Sequence, residues 1–320
     1  MPNSLERIKS VVFGSAVADA VGVPVEFFPR HKLKENPVVD MIGYGTHNMP
    51  LGCWSDDTSM SLAALDSLKN GKVDYFSIMQ NFYDWLHSGK YTATDQVFDC
   101  GRTCFRAIEK YRTSDGKIYE CGDSDEYSNG NGSLMRIYPF VLFAVNNSFE
   151  CSEMIELIHT SSALTHGHER TKIACGIYAF VLSEILASPK KKAIKLGLKK
   201  AKKYYRNFAE YSHFTALFST GIFAMPIQRR SEESIKSSGY VVDTLEAAIW
   251  SVLTTNSYKE CILKAVNLGE DTDTVATVAG GIAGALYGYH SIPENWIENL
   301  KKKEKIDDLC LEADYNWSRQ

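Results

Sequence analysis

A chain of 320 residues, 44 % of them hydrophobic, carries enough apolar side chains to close a large core, which excludes a disordered or fibrous class. Its 35 basic and 39 acidic residues leave a formal charge of −4, so no global positive field draws it to nucleic acid. Eight cysteines are scattered without a Cys-x-x-Cys pair, the nearest two being Cys100 and Cys104, a pattern of neither a zinc ribbon nor a disulfide scaffold.

In chain order, apolar spacing near 3.6 predicts a first helix over 5–21, ended by Gly22 and Pro24, with Glu26 left in a turn between Val25 and Phe27. Residues 28–54, rich in Pro, Gly, Asn and His, read as a long loop, with 38–42 as a strand candidate. Trp54-Ser55-Asp56-Asp57-Thr58-Ser59-Met60 leads into a helix over 60–68, and a further helix is expected over 97–111. A second long loop covers 113–133, with 117–121 as the other strand candidate, and ends in Asn129-Gly130-Asn131-Gly132-Ser133-Leu134-Met135. Helices over 154–163 and 171–186 flank Leu164-Thr165-His166-Gly167-His168. The lysine-rich run 190–206 keeps helical spacing at Ile194, Leu198 and Ala201 and reads as a solvated outer helix face, as does the shorter basic run 301–305. Helices over 244–253 and 275–287 follow, the second opening at Asn267-Leu268-Gly269-Glu270-Asp271-Thr272-Asp273-Thr274. Its Gly280, Gly281 and Gly284 cost helix propensity, about 1 kcal/mol each, and imply close packing at the centre of the fold. No repeat or Pro-rich linker divides the chain, so 1–320 reads as one mostly α domain. No stretch of about 18 uncharged apolar residues occurs, and a soluble, cytoplasmic protein without a membrane span is expected.

Two acidic clusters at helix starts carry the chemistry. Ser55, Asp56 and Asp57 on one side and Asp271, Asp273 and Thr274 on the other can each simply cap a helix, since acids there complement the macrodipole. A shared ion would explain both. Carboxylates and hydroxyls without a nearby Cys or His pair are hard ligands, suited to magnesium, manganese or calcium, and two divalent ions nearly cancel the charge of these four aspartates and Glu26. Glu26 in its apolar turn is either a surface residue or a general base or acid whose pKa its surroundings tune. The Asn-Gly loop makes turns, and its backbone amides can also cradle a diphosphate.

These stretches, in this order, resemble the ADP-ribosylglycohydrolase family, and the resemblance runs from about Gly14 to Gly288. It implies an all-α, single compact orthogonal helical bundle with a dimetal cleft. It implies two magnesium ions, one held by Ser55, Asp56 and Asp57, the other by Asp271 and Thr274, with Asp273 between them. Glu26, Asp56 and Asp57 become the catalytic carboxylates, while Asp99, Asn129, Gly130, Asn131, Gly132, Ser133, Met135 and His166 would meet the substrate. The implied activity is hydrolysis of the bond between ADP-ribose and an acceptor, arginine first. ADP-ribosyl-serine, O-acetyl-ADP-ribose and a non-catalytic ADP-ribose reader stand behind it. The partner is then an ADP-ribosylated protein or a small ADP-ribose conjugate, and a monomer is expected. Three positions depart from the family pattern: Ala18 and Ser55 mildly, and Glu270 by standing where a frequent Gly readily takes φ > 0.

Overall fold

The first apolar segment forms helix Ser4–Gly22, whose N-cap Asn3 accepts from the Glu6 amide at 2.8 Å. Almost every side chain from Ile8 onward is buried, so this helix lies inside the molecule rather than along its surface. By length and composition it is apolar enough to cross a membrane, yet here it is the core element.

Its main neighbour is helix Thr272–Tyr287, and glycine is what lets the two backbones touch. A Cβ on Gly284 would stand 1.9 Å from the Ser10 carbonyl oxygen, one on Gly280 2.2 Å from that of Gly14, and one on Gly22 2.4 Å from the Asp273 Cα. Rising numbers on one helix meet falling numbers on the other, so the pair is antiparallel. The C-terminal end of the first helix, with Asp19 and the following Glu26, therefore lies beside the start of the second, with Asp271 and Asp273.

The computed structural model describes residues 3–218 and 226–319, and among them are fifteen α-helices and no strand. Isolated bridges at Tyr44–Met49, Asp123–His166 and Gly130–Tyr240 are the nearest approach to a sheet. Both strand candidates are overturned: 38–42 is irregular, with Val38 held by the Asn267 side chain, and 118–120 is a single 3-10 turn. An isolated alternating run with no second strand to pair with leaves its amides unmet, and here side chains and turns meet them.

Every expected helix is present, and several start a few residues earlier than their apolar spacing suggests. Asp56–Leu68 starts at the acidic pair itself, Thr272–Tyr287 starts directly after Asp271, and Val241–Leu253 starts three residues before the expected 244. One starts later: the helix expected over 97–111 is Arg102–Tyr111, because 97–100 runs as an irregular segment that carries Asp99 toward the acidic centre. Lys191–Tyr205 is the outer helix expected, burying Ile194, Leu198 and Ala201 and packing on Glu169–Ala187. Helices Tyr75–Ser88, Tyr138–Asn146, Tyr258–Val266 and Lys303–Trp317 complete the shell.

Candidate active site

Helix Asp56–Leu68 is locked to the first helix by Asp19, whose carboxylate accepts from the Ser55 amide at 3.1 Å, the Thr58 amide at 3.0 Å and the Thr58 hydroxyl at 2.6 Å. Ser55 caps that helix, its hydroxyl accepting from the Asp57 amide at 3.2 Å. Three helix ends thus converge, and their acids interleave. Ligand oxygens of Asp19, Asp57 and Asp273 lie within 4.8 Å of one another, as do those of Glu26, Asp271 and Asp273. Asp273 belongs to both groups. The Thr274 hydroxyl reaches Asp57 Oδ1 at 3.3 Å, and Asp56 Oδ2 accepts from the Gly101 amide at 3.3 Å.

So much buried negative charge is unfavourable without protons or cations. Burial, helped by the neighbouring carboxylates, holds Asp56, Asp57 and Asp273 well above the usual carboxylate range. Burial also pushes Glu26 up to about 7 and Asp19 up to about 6, and raises Asp99 and Asp271. Asp57 Oδ2 and Asp271 Oδ1 are buried with no hydrogen-bond donor among the described residues. An oxygen-only set with orphaned carboxylate oxygens fits a hard divalent ion, and the acidic clusters can hold metal ions.

Glu26 is 5 % exposed, so the surface alternative does not hold. Its Oε2 is hydrogen-bonded to His47 Nε2, and a nitrogen or oxygen of Glu26, His47 and Asp99 lies within 4.8 Å of the other two. The loop bearing His47 is strapped on: Thr46 Oγ1 donates to the Glu26 carbonyl at 2.6 Å, and a Cβ on Gly45 would strike the Pro24 carbonyl oxygen at 1.8 Å. The imidazole stands 5.2 Å from the Phe98 ring and 6.0 Å from Phe27. Sequence reasoning did not single out Asp19 or His47. Asp19 falls inside the helix expected over 5–21, but its partners lie 36 and 39 residues away, and His47 belongs to no spaced motif.

The Asn-Gly loop joins the acids through Asn131, whose amide donates to Asp271 Oδ2 at 3.0 Å and to Thr244 Oγ1 at 2.9 Å. Backbone bonds from the Asn131 amide to the Gly239 carbonyl, 3.1 Å, and from the Val241 amide to the Asn129 carbonyl, 3.0 Å, bind the loop to the turn before helix Val241–Leu253. No residue from Ser128 to Arg136 has positive φ. Close approach therefore explains Gly132, where a Cβ would lie 2.7 Å from Cys104 Sγ and 3.0 Å from His166 Cε1. His166 is buried behind the loop, its Nδ1 bonded to Thr165 Oγ1 at 2.9 Å, and burial lowers it to about 3, leaving a neutral ring. Ser133 is buried too, with its Oγ accepting from Ser162 at 2.9 Å, and so is Met135. Asn129 and Gly130 face a cavity of about 560 Å³ that Arg170 and Tyr240 also line, within the size range of small-molecule pockets.

Glu270 adopts φ 63° without being glycine, after Gly269 at φ 78°. Its carbonyl accepts from the Phe27 amide at 2.6 Å and its amide donates to the Phe28 carbonyl at 2.8 Å. The Arg30 guanidinium braces the same loop, donating to the carbonyls of Leu268, Glu232 and Ile235 at 2.6–2.7 Å.

The protein is all-helical, and the ends of its core helices bring carboxylate oxygens together in one acidic centre whose clusters could hold hard cations. The ADP-ribosylglycohydrolase family matches residues 1–319. ADP-ribosylarginine hydrolase Tri1 of Serratia proteamaculans is 31 % identical over 98 % of this chain and 80 % of its own length. ADP-ribosyl-[dinitrogen reductase] glycohydrolase of Rhodospirillum rubrum is 28 % identical over 94 % and 92 %. A solved structure titled ADP-ribosylglycohydrolase-related protein complex superposes with a TM-score of 0.81 at 29 % identity, covering 98 % of this chain and 99 % of that one. The chain belongs to the ADP-ribosylglycohydrolase family and is a hydrolase.

Proposed function

We propose that this protein is a magnesium-dependent hydrolase that releases ADP-ribose from ADP-ribosylated arginine. The observation that carries the reading is that Asp273 joins two oxygen-only carboxylate groups, one with Asp19 and Asp57 and one with Glu26 and Asp271, in which one oxygen of Asp57 and one of Asp271 are left without donors among the described residues. Ser55, Asp56 and Asp57 would hold one ion and Asp271 and Thr274 the other, with Asp273 shared. When bound, magnesium supplies charge neutralisation and polarises the oxygens it touches. Glu26, buried and held by His47, takes or returns the proton of the attacking water. Asn129 to Met135, backed by His166, receive the ADP-ribose, and Asp99 lies toward the acceptor. The arginine linkage follows the names of the relatives from Serratia proteamaculans and Pseudomonas putida.

The test measures release of free ADP-ribose from ADP-ribosyl-arginine and ADP-ribosyl-serine peptides, with magnesium and with chelator, for wild type and Asp273→Asn. Magnesium-dependent release from the arginine peptide, reduced about 100-fold in the variant, is expected. Release from serine alone transfers the linkage, and release from neither overturns the proposal.

A further inference from the structure

The three helices that bring acids to the centre repeat one feature a turn deeper. Ser15 stands four residues before Asp19, Ser61 four after Asp57 and Thr277 four after Asp273. Residues four apart share a helix face, so each step moves about 6 Å along its helix, away from the ends that converge. Each places a small, fully buried hydroxyl behind a carboxylate.

The Tyr138 and Tyr178 phenols, both buried, reach the same region. Burial pushes Tyr138 up, the Ser61 hydroxyl draws it back, and the charges of Asp19 and Asp57 raise it further. Burial pushes Tyr178 up too, and Tyr138 adds to this. A Cβ on Gly281 would stand 2.4 Å from the Tyr178 hydroxyl oxygen and 2.8 Å from Ser15 Oγ, so this glycine clears space beside two polar atoms, whereas Gly280 and Gly284 clear it for backbone. Thr277 closes the set against Asp57: burial and the neighbouring aspartates hold that carboxyl high, and the Thr277 hydroxyl draws it back.

None of these five hydroxyls has a hydrogen-bond partner among the described residues, and neither has Asp57 Oδ2. Polar groups that interact while stopping short of a direct bond have the spacing of groups joined through water, and buried hydroxyls without any partner are rare. Ala, Val or Phe at these positions would fill a dry core without that cost.

We propose that Ser15, Ser61, Tyr138, Tyr178 and Thr277 enclose a cluster of ordered water behind the acidic centre, and that this water donates to Asp57 Oδ2 and holds that carboxylate in place as a metal ligand. Water suits the set because each hydroxyl both donates and accepts, while a carboxylate oxygen only accepts. The other oxygen, Oδ1, already receives the Thr274 hydroxyl. Asp57 is then held through both oxygens, and the five hydroxyl residues act through it as positioning residues. The second half of the inference rests on the metal-dependent reading above, and the first half does not.

The test crystallises the full chain with magnesium and with chelator, and measures magnesium affinity by calorimetry for wild type, Thr277→Val, Thr277→Ser and Tyr178→Phe, with urea unfolding alongside. Ordered water within hydrogen-bond distance of Thr277, Ser61 and Asp57 Oδ2 is expected in both crystals. Thr277→Val, which keeps the shape and loses the hydroxyl, should weaken magnesium about tenfold, and Thr277→Ser should stay within about twofold of wild type. Tyr178→Phe should lose the water beside Ser15 and weaken magnesium about threefold, which decides the matter if Thr277→Val does not fold. Hydroxyls bonded directly to one another with no water overturn the cluster, as does a monovalent cation in its place. Equal weakening in Thr277→Val and Thr277→Ser, or weakening in neither, overturns the positioning role. Wild type that holds the water and binds no magnesium overturns the metal reading of the acidic centre, and the positioning role falls with it while the water cluster stands.

Discussion

Asp19 shows how one buried carboxylate can organise a site. Its two oxygens meet the Ser55 and Thr58 amides and the Thr58 hydroxyl, fixing the start of the helix that carries Asp56 and Asp57. Truncation in Asp19→Ala leaves two buried amides without acceptors, at about 1–3 kcal/mol for each unmet group. Removing a negative charge from a crowd of acids offsets part of that loss, and the offset is larger when no cation is present. With saturating magnesium, urea unfolding should show Asp19→Ala less stable by about 2–3 kcal/mol, and with chelator by less. Equal losses in the two conditions would mean that Asp19 acts only as a hydrogen-bond acceptor. Glu270 is the opposite case, an exposed residue at φ 63° where the chain's geometry asks for glycine. Relief of about 1–2 kcal/mol of left-handed strain exceeds the roughly 0.4–1 kcal/mol that glycine's freedom adds to the unfolded chain. Glu270→Gly should therefore raise stability by about 0.5–1 kcal/mol in the same measurement, and a loss would show that the Glu270 side chain contributes a contact of its own. The departure from glycine at this position bears on strain and leaves the loop's path intact, since the residue still takes positive φ and pairs with Phe27 and Phe28.

At the scale of elements, the antiparallel pairing of Ser4–Gly22 with Thr272–Tyr287 converts glycine spacing into site geometry. Gly284 and Gly22 lie toward opposite ends of that contact, against Ser10 and against Asp273. A methyl group at either overpacks backbone against backbone, and such insertions cost about 1–3 kcal/mol. Gly284→Ala and Gly22→Ala should both lower stability by that amount, but only Gly22→Ala displaces a carboxylate of the acidic set. Its magnesium requirement for ADP-ribose release should rise several-fold while that of Gly284→Ala stays at the wild-type value. A matching shift in both would mean that the pair transmits strain along its whole length. The sequence made the close packing of Thr272–Tyr287 legible, though not its partner, because small residues in an otherwise apolar helix have few other uses, and it made the two acidic starts legible because each precedes an apolar run. It left Tyr75–Ser88 unread although Asp74 caps it and Gly89 ends it with φ 70°, both ordinary boundary signals. It also left Lys303–Trp317 unread, because the basic run masks the buried stripe of Ile306, Cys310, Ala313 and Trp317. His47 and Asp19 were hidden for a different reason, since each works through partners that only the folded chain brings within reach.

For the molecule as a whole, the acidic centre sets how stability depends on pH and on cations. Carboxylates such as Glu26, at about 7, and Asp19, at about 6, hold protons in the folded state that the unfolded chain has already released. Between the unfolded values near 4 and those folded values, the folded state binds more protons, so rising pH through this window removes stability from the cation-free protein. His159 and His166, which burial lowers to about 4 and about 3, act in the opposite direction: their contribution is present above the unfolded value near 6.5 and is lost as pH falls toward the folded values. The histidine contribution is common to protein with and without metal, so it cancels when the two are compared at one pH. What survives the subtraction is the competition between protons and a divalent ion for the same oxygens. At pH 7.5, magnesium at about 100 times its dissociation constant should stabilise by about 2.7 kcal/mol, raising Tm by several degrees. At pH 5 protons occupy the site and the increment should largely disappear, in wild type measured by calorimetry, while Asp273→Asn should show little increment at either pH. An increment of equal size at both pH values would place the ion on groups already ionised at pH 5, away from Asp273 and the carboxylates grouped with it.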